Sequence, residues 1–127
     1  MPRLTRLFVL IAALVLLAAT PAAAPAAGPD AETAKRCGVS RSEQRGLGAT
    51  YVFRISVRGT TCRGGKRLIS SFNKCRRRNG GRDGRCRRVS GYGCGENRFN
   101  KSRYSFDSKA SCKRGGRSVS FQYQQNL

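Results

Sequence analysis

The stretch Ala49–Arg78, ATYVFRISVRGTTCRGGKRLISSFNKCRRR, changes its hydrophobic period halfway along and sets the fold class. In Ala49–Arg58, Tyr51, Phe53, Ile55 and Val57 alternate with Thr50, Arg54, Ser56 and Arg58. A period of two puts an apolar stripe on one face of a strand, with Val52 the exception. Gly59 ends it. Thr60 or Thr61 can then cap a helix in which Leu68, Ile69, Phe72 and Cys75 share one face. Gly64 and Gly65 weaken the first turn, so the helix is expected to start nearer Lys66. Arg76–Arg78 suit the negative end of the helix dipole, and Asn79-Gly80-Gly81 ends the helix.

Working outward, Cys86–Cys94 contains a short strand candidate with Val89 and Tyr92 as packing residues. Glu96–Ser102 reads as a polar loop. Tyr104–Cys112 alternates again, Lys113-Arg114-Gly115-Gly116 is a turn, and Val119, Phe121 and Tyr123 alternate after it. These last segments form a β-hairpin. The expected architecture is α+β, in the order β-α-β-β-β. One helix packs on a three- or four-stranded antiparallel sheet. Tyr51, Phe53, Phe72, Phe106 and Phe121 are assigned to the core, and Tyr92, Tyr104 and Tyr123 are left free to face outward.

The chain begins with the layout of an export signal over residues 1–26. Arg3 and Arg6 precede the apolar run LFVLIAALVLLAA, and TPAAAPAAG follows it. The run is shorter than the ~20 residues that span a bilayer, and no second one exists. Residues 27–48 read as a loose lead-in and 49–127 as one domain, expected to be a secreted monomer without a transmembrane segment.

Export implies an oxidising space. Cys37, Cys62, Cys75, Cys86, Cys94 and Cys112 then read as three disulfides. Six cysteines allow 15 pairings. Sequence alone does not choose among them; as a hypothesis, Cys94–Cys112 would link neighbouring strands and Cys75–Cys86 would close the basic loop, leaving Cys37–Cys62. A metal site has little support, because no C-x-x-C and no His occur. No cofactor is implied.

Without the leader, 24 basic and 6 acidic residues remain, a net charge of +18. Such a charge favours anionic partners. Twenty of the 26 basic residues are Arg, whose planar fork grips phosphate and carboxylate. Codon usage in a GC-rich genome accounts for the Arg content equally well. The densest run is Lys74–Arg88, KCRRRNGGRDGRCRR. A Cys75–Cys86 bridge would gather Arg76, Arg77, Arg78, Arg82, Arg85, Arg87 and Arg88 into one anion-binding loop. A second basic set, Lys109, Lys113, Arg114 and Arg117, surrounds the hairpin turn.

Enzyme chemistry is poorly supplied. Without His there is no Ser-His or Cys-His nucleophile. Ser71-x-x-Lys74 lacks the partner motifs of penicillin-recognising enzymes. Glu96 and Asp107 are the one carboxylate pair that a glycosidase reading could use. The composition therefore points to a non-enzymatic cationic module for wall polymer, acidic polysaccharide or extracellular nucleic acid. A membrane-active antimicrobial protein and a small protease inhibitor are the alternatives.

The segments TTCRGGKRLISSF (Thr60–Phe72), VSGYGC (Val89–Cys94) and SCKRGGRSVSFQYQQN (Ser111–Asn126) resemble a family of small, uncharacterised exported proteins of high-GC actinobacteria. The likeness spans Cys37–Leu127. Such proteins usually carry Ala where Gly64 and Gly65 stand here. The resemblance implies the element order and an actinobacterial host, and it supplies no catalytic residue.

Overall fold

A computed structural model describes residues 33–127; the leader expected at 1–26 lies outside them. Along the chain run β1 (Lys35–Cys37), α1 (Arg41–Leu47), β2 (Tyr51–Arg58), α2 (Cys62–Arg78), β3 (Arg88–Val89), β4 (Tyr92–Phe99), β5 (Ser105–Arg114) and β6 (Arg117–Asn126). The strands form one antiparallel sheet in the order β1-β2-β6-β5-β4-β3. The fold is α+β, but with two helices and six strands rather than one helix and three or four.

Two of the additional elements, β1 and α1, come from the segment expected to be a loose lead-in. Helix α1 starts with a reciprocal cap: Ser40 Oγ accepts from the Glu43 amide, and Glu43 Oε2 accepts from the Ser40 amide. Gly48, at φ +86°, ends it. Helix α2 begins at Cys62, not near Lys66, with Thr61 as its cap. Gly65 is there for proximity. A Cβ on it would lie 2.5 Å from Val57 Cγ1, so its absence lets the helix press onto β2.

The core lies between α2 and one sheet face. Leu68, Ile69 and Phe72 pack against Val57, Val119, Phe121 and Tyr123. Phe72 meets Phe121 edge-on, with centroids 5.4 Å apart. Phe106 and Ala110 of β5 join the same face. Tyr123, which sequence left free to face outward, is fully buried.

Strand β2 departs from its expected stripe. Tyr51 and Phe53 are exposed, and Val52, the apparent exception, is buried. The cause is a bulge. Register slips between Phe53, opposite Gln122, and Ser56, opposite Ser120. Arg54 sits in the left-handed region at φ +53°. One extra residue reverses the parity of the strand, so Val52, Ile55 and Val57 all point inward. Beyond the end of β1, the Gln44 amide takes the place of a strand partner. Its Nε2 donates to the Val52 carbonyl, and its Oε1 accepts from the Val52 amide.

The segment expected to be a loop at Glu96–Ser102 is strand as far as Phe99. A tight turn at Ser90 and Gly91, both at positive φ, joins β3 to β4. Three bridges tie α2 to β1, the end of α2 to the segment before β3, and β4 to β5: Cys37–Cys62, Cys75–Cys86 and Cys94–Cys112. These are the three pairs set out from the sequence. Among the described residues no helix is long and apolar enough to cross a membrane.

Candidate anion-binding loop

The loop between Cys75 and Cys86 is built around a buried polar cluster. Helix α2 ends at Arg78, Gly80 and Gly81 turn the chain at positive φ, and Gly81–Asp83 forms a single 3₁₀ turn. Gly84 is buried. A Cβ there would fall 2.0 Å from the Arg76 carbonyl oxygen, so the position admits only Gly.

Two guanidiniums hold this turn from beneath. Arg76, 1% exposed, donates through Nε to the Gly84 carbonyl, through Nη2 to the Arg82 carbonyl and through Nη1 to Asn73 Oδ1. Arg98 of β4 donates to the carbonyls of Asp83 and Gly84 and to Asp83 Oδ1. Three consecutive carbonyls, Arg82 to Gly84, are thus drawn inward. Asn73 Nδ2 also donates to the Leu47 carbonyl, which ties the cluster to the end of α1.

Glu96 stands between the guanidiniums with its side chain 4% exposed. Its Oε1 lies 2.6 Å from Arg98 Nε and 3.4 Å from Arg85 Nη1. The Arg98 Nε contact is off the hydrogen-bond direction, so it acts as a charge contact. Oε2 accepts from the Tyr123 hydroxyl at 2.6 Å and is 3.8 Å from Arg76 Nε. Arg98 lies over the Phe106 ring at 4.1 Å and Arg76 over the Tyr123 ring at 4.6 Å. Burial pulls the Arg76 guanidinium below the ordinary arginine range. Burial first, and the bond to Glu96 second, push the Tyr123 phenol above its ordinary value.

The sequence-predicted arginines therefore divide. Arg76 is a buried brace and cannot contact a polymer, which corrects its assignment as a surface ligand group. Arg77 is exposed but donates to the Gly48 carbonyl, towards α1. Arg85 is half tied to Glu96. Arg78, Arg82, Arg87 and Arg88 are exposed, with no carboxylate within ion-pair distance among the described residues. A cavity of about 570 Å³ opens beside the loop, lined in part by Asn79, Arg85, Arg98, Lys101 and Ser102.

The helix period could have flagged Arg76, which falls four residues after Phe72 on the buried face of α2. Arg98 and Glu96 continue the inward alternation of Cys94, a signal that the polar composition of Glu96–Ser102 hides.

Residues 33–127 contain 24 Lys and Arg and four carboxylates. All four carboxylates are engaged: Glu43 by Lys66, Asp83 by Arg98, Glu96 by the cluster and Asp107 by Asn100. Glu96 pairs with Ala110 on the inner face, whereas Asp107 opposes Gln124 on the outer face. The two cannot flank one glycosidic bond. All six cysteines are bridged, and no cluster of metal-ligating side chains occurs among the described residues. No protein-family model, curated protein or solved structure matches the chain.

Proposed function

We propose that the chain is an exported, non-enzymatic module that binds anionic polymer through the exposed arginines around the Cys75–Cys86 loop. One observation carries this reading: the backbone of the loop is fixed from below while Arg78, Arg82, Arg87 and Arg88 face solvent without a carboxylate partner. Unneutralised guanidiniums on a rigid frame lose little entropy when they bind phosphate or carboxylate. Their mutual repulsion is relieved by the incoming anion. Three disulfides are compatible with an extracellular site of action. A protease-inhibitor loop presents extended backbone, but here a 3₁₀ turn draws its carbonyls inward.

The test is duplex-DNA binding across a salt series by the oxidised protein and by Arg78→Gln/Arg82→Gln/Arg87→Gln. Each phosphate contact contributes about 0.9 to the slope of log K against log salt. Loss of three should flatten that slope by about 2.7. An unchanged slope would reject the loop as the contact surface. Equal binding by reduced and alkylated protein would reduce the affinity to composition alone.

A further inference from the structure

Among the described residues, nothing covers the sheet face turned away from α2. The strand register lays a row of small residues straight across it. Ser56 opposes Ser120, Ser120 opposes Ser111, and Ser111 opposes Gly95. Along one side of this row stand Arg58, Lys113 and Arg88, from the paired positions Arg58–Ser118–Lys113–Gly93–Arg88. Along the other stand Phe53, Gln122, Lys109 and Asn97, with Arg54 at the bulge. On this second side the face dips into a cavity of about 530 Å³, lined in part by Arg54, Asn97, Lys109, Ser111, Ser120 and Gln122; Arg58, Lys113 and Arg88 stand outside it, across the serine row. From β2 to β4 the row runs three strand spacings, about 14 Å. Arg36, paired with Ser56, extends it onto β1.

Two observations point to a ligand. The face carries six cations, Arg36, Arg54, Arg58, Arg88, Lys109 and Lys113, against one carboxylate, Asp107, which Asn100 already engages. The rim residue Arg54 also holds a backbone conformation that L side chains rarely adopt. Its side chain has no hydrogen-bond or ion-pair partner among the described residues. The left-handed turn itself serves the bulge that sets the parity of β2; what it leaves on the rim is an unpartnered guanidinium.

We propose that this face is a second binding surface, sharing only Arg88 with the loop, for an extended acidic polysaccharide laid along the serine row. It shares with the loop reading the anionic class of partner and narrows that class for this surface. Carboxylates of the chain would meet the rim cations. Its hydroxyls would meet Ser111, Ser120, Gln122 and Asn97. Single-stranded nucleic acid fits less well, because it needs rings to stack on and the floor has none. The exposed rings of this face, Phe53 opposite Gln122 and Tyr51 opposite Gln124, stand at one rim and beyond it, not in the row. Phe99, on the same side, has Lys109 over its ring at 5.6 Å.

The test uses a fluorescein-labelled oligogalacturonate and an equally charged oligothymidylate at one salt concentration. Ser120→Tyr fills the cavity without changing charge, and Lys109→Gln removes one rim cation at an exposed site. Each should weaken oligogalacturonate binding about tenfold, the scale of a lost charge-assisted contact. The thermal midpoint should hold, and Ser120→Tyr should leave oligothymidylate binding unchanged. If Ser120→Tyr melts early, Lys109→Gln carries the comparison. Parental oligogalacturonate affinity in the variants overturns the proposal. So does loss confined to the loop variant Arg78→Gln/Arg82→Gln/Arg87→Gln, which would leave the loop reading standing. Tighter oligothymidylate binding that Ser120→Tyr abolishes would overturn it in favour of a nucleic-acid surface.

Discussion

Replacing Glu96 with Gln removes one charge from the buried cluster and almost no volume. The Gln carbonyl can still accept from Tyr123, so no cavity opens. What changes is the state of Arg76 and Arg98, whose side chains are 1% and 4% exposed. Removing one partner of a buried ion pair costs about 3–5 kcal/mol, because the other charge is left uncompensated. Arg98 keeps Asp83 at 2.6 Å, and both guanidiniums keep their carbonyl acceptors. The lower end, about 3 kcal/mol, is therefore expected. For a domain of this size that lowers the thermal midpoint by about 12–24 °C. Urea unfolding of the oxidised protein, followed by circular dichroism, measures the loss. The Gly84 amide, which donates to the Gly81 carbonyl within the braced turn, should also exchange faster. In the Glu96→Gln background, Arg76→Met should cost less than it does in the parent, since a cation there has lost its partner. A loss under about 1 kcal/mol, with unchanged exchange at Gly84, would refute the cluster as the support of the loop.

Three further outcomes follow from single positions. Arg54→Gly should stabilise the domain by about 0.5–1 kcal/mol, as relief of left-handed strain outweighs the added chain entropy, and should shift the urea midpoint upward. A downward shift would mean that the Arg54 side chain makes a stabilising contact within the chain. Gly65→Ala should destabilise by about 1 kcal/mol despite its better helix propensity, because the new methyl strikes Val57; a higher melting point would contradict that close approach. The Glu43 carboxyl is held down to about 2, chiefly by the Lys66 hydrogen bond and then by the Ser40 amide. A depressed folded-state value stabilises above the unfolded value near 4.5 and is lost as pH falls towards 2. The parent should therefore lose stability over that window more steeply than Glu43→Gln, and parallel acid limbs would show that the contact contributes nothing.

The parts of the fold legible in sequence were those where period and burial agree. Strands β5 and β6, the body of α2 and the pairing of the cysteines are of this kind. Phe72, Phe106 and Phe121 occupy the core their alternation assigned. The inward face of strand β2 is not legible because the bulge at Arg54 has no sequence mark: no Gly stands there, and parity changes without a change in composition. Sequence did carry the start of α1 as the Ser40-x-x-Glu43 capping box, but the segment has too little apolar periodicity to draw attention to it. The arginine loop was visible as charge alone. That one of its arginines is buried follows from helix geometry, whereas its braces from β4 depend on contacts across the sheet.

Strand β6 is the last strand in the chain and one of the two central strands of the sheet, between β2 and β5. That placement governs the order of assembly. A growing chain that has reached Arg114 holds β1–β2 on one side and β5–β4–β3 on the other, with no strand pairing between them. Both inner edges then offer unpaired amides and carbonyls to any passing strand. Closure waits for Arg117–Asn126, which pairs at once with a hairpin neighbour and with residues sixty or more positions earlier. Non-local pairing of this kind folds late and slowly. A truncation before β6 would therefore divide the sheet into two fragments rather than shorten its margin.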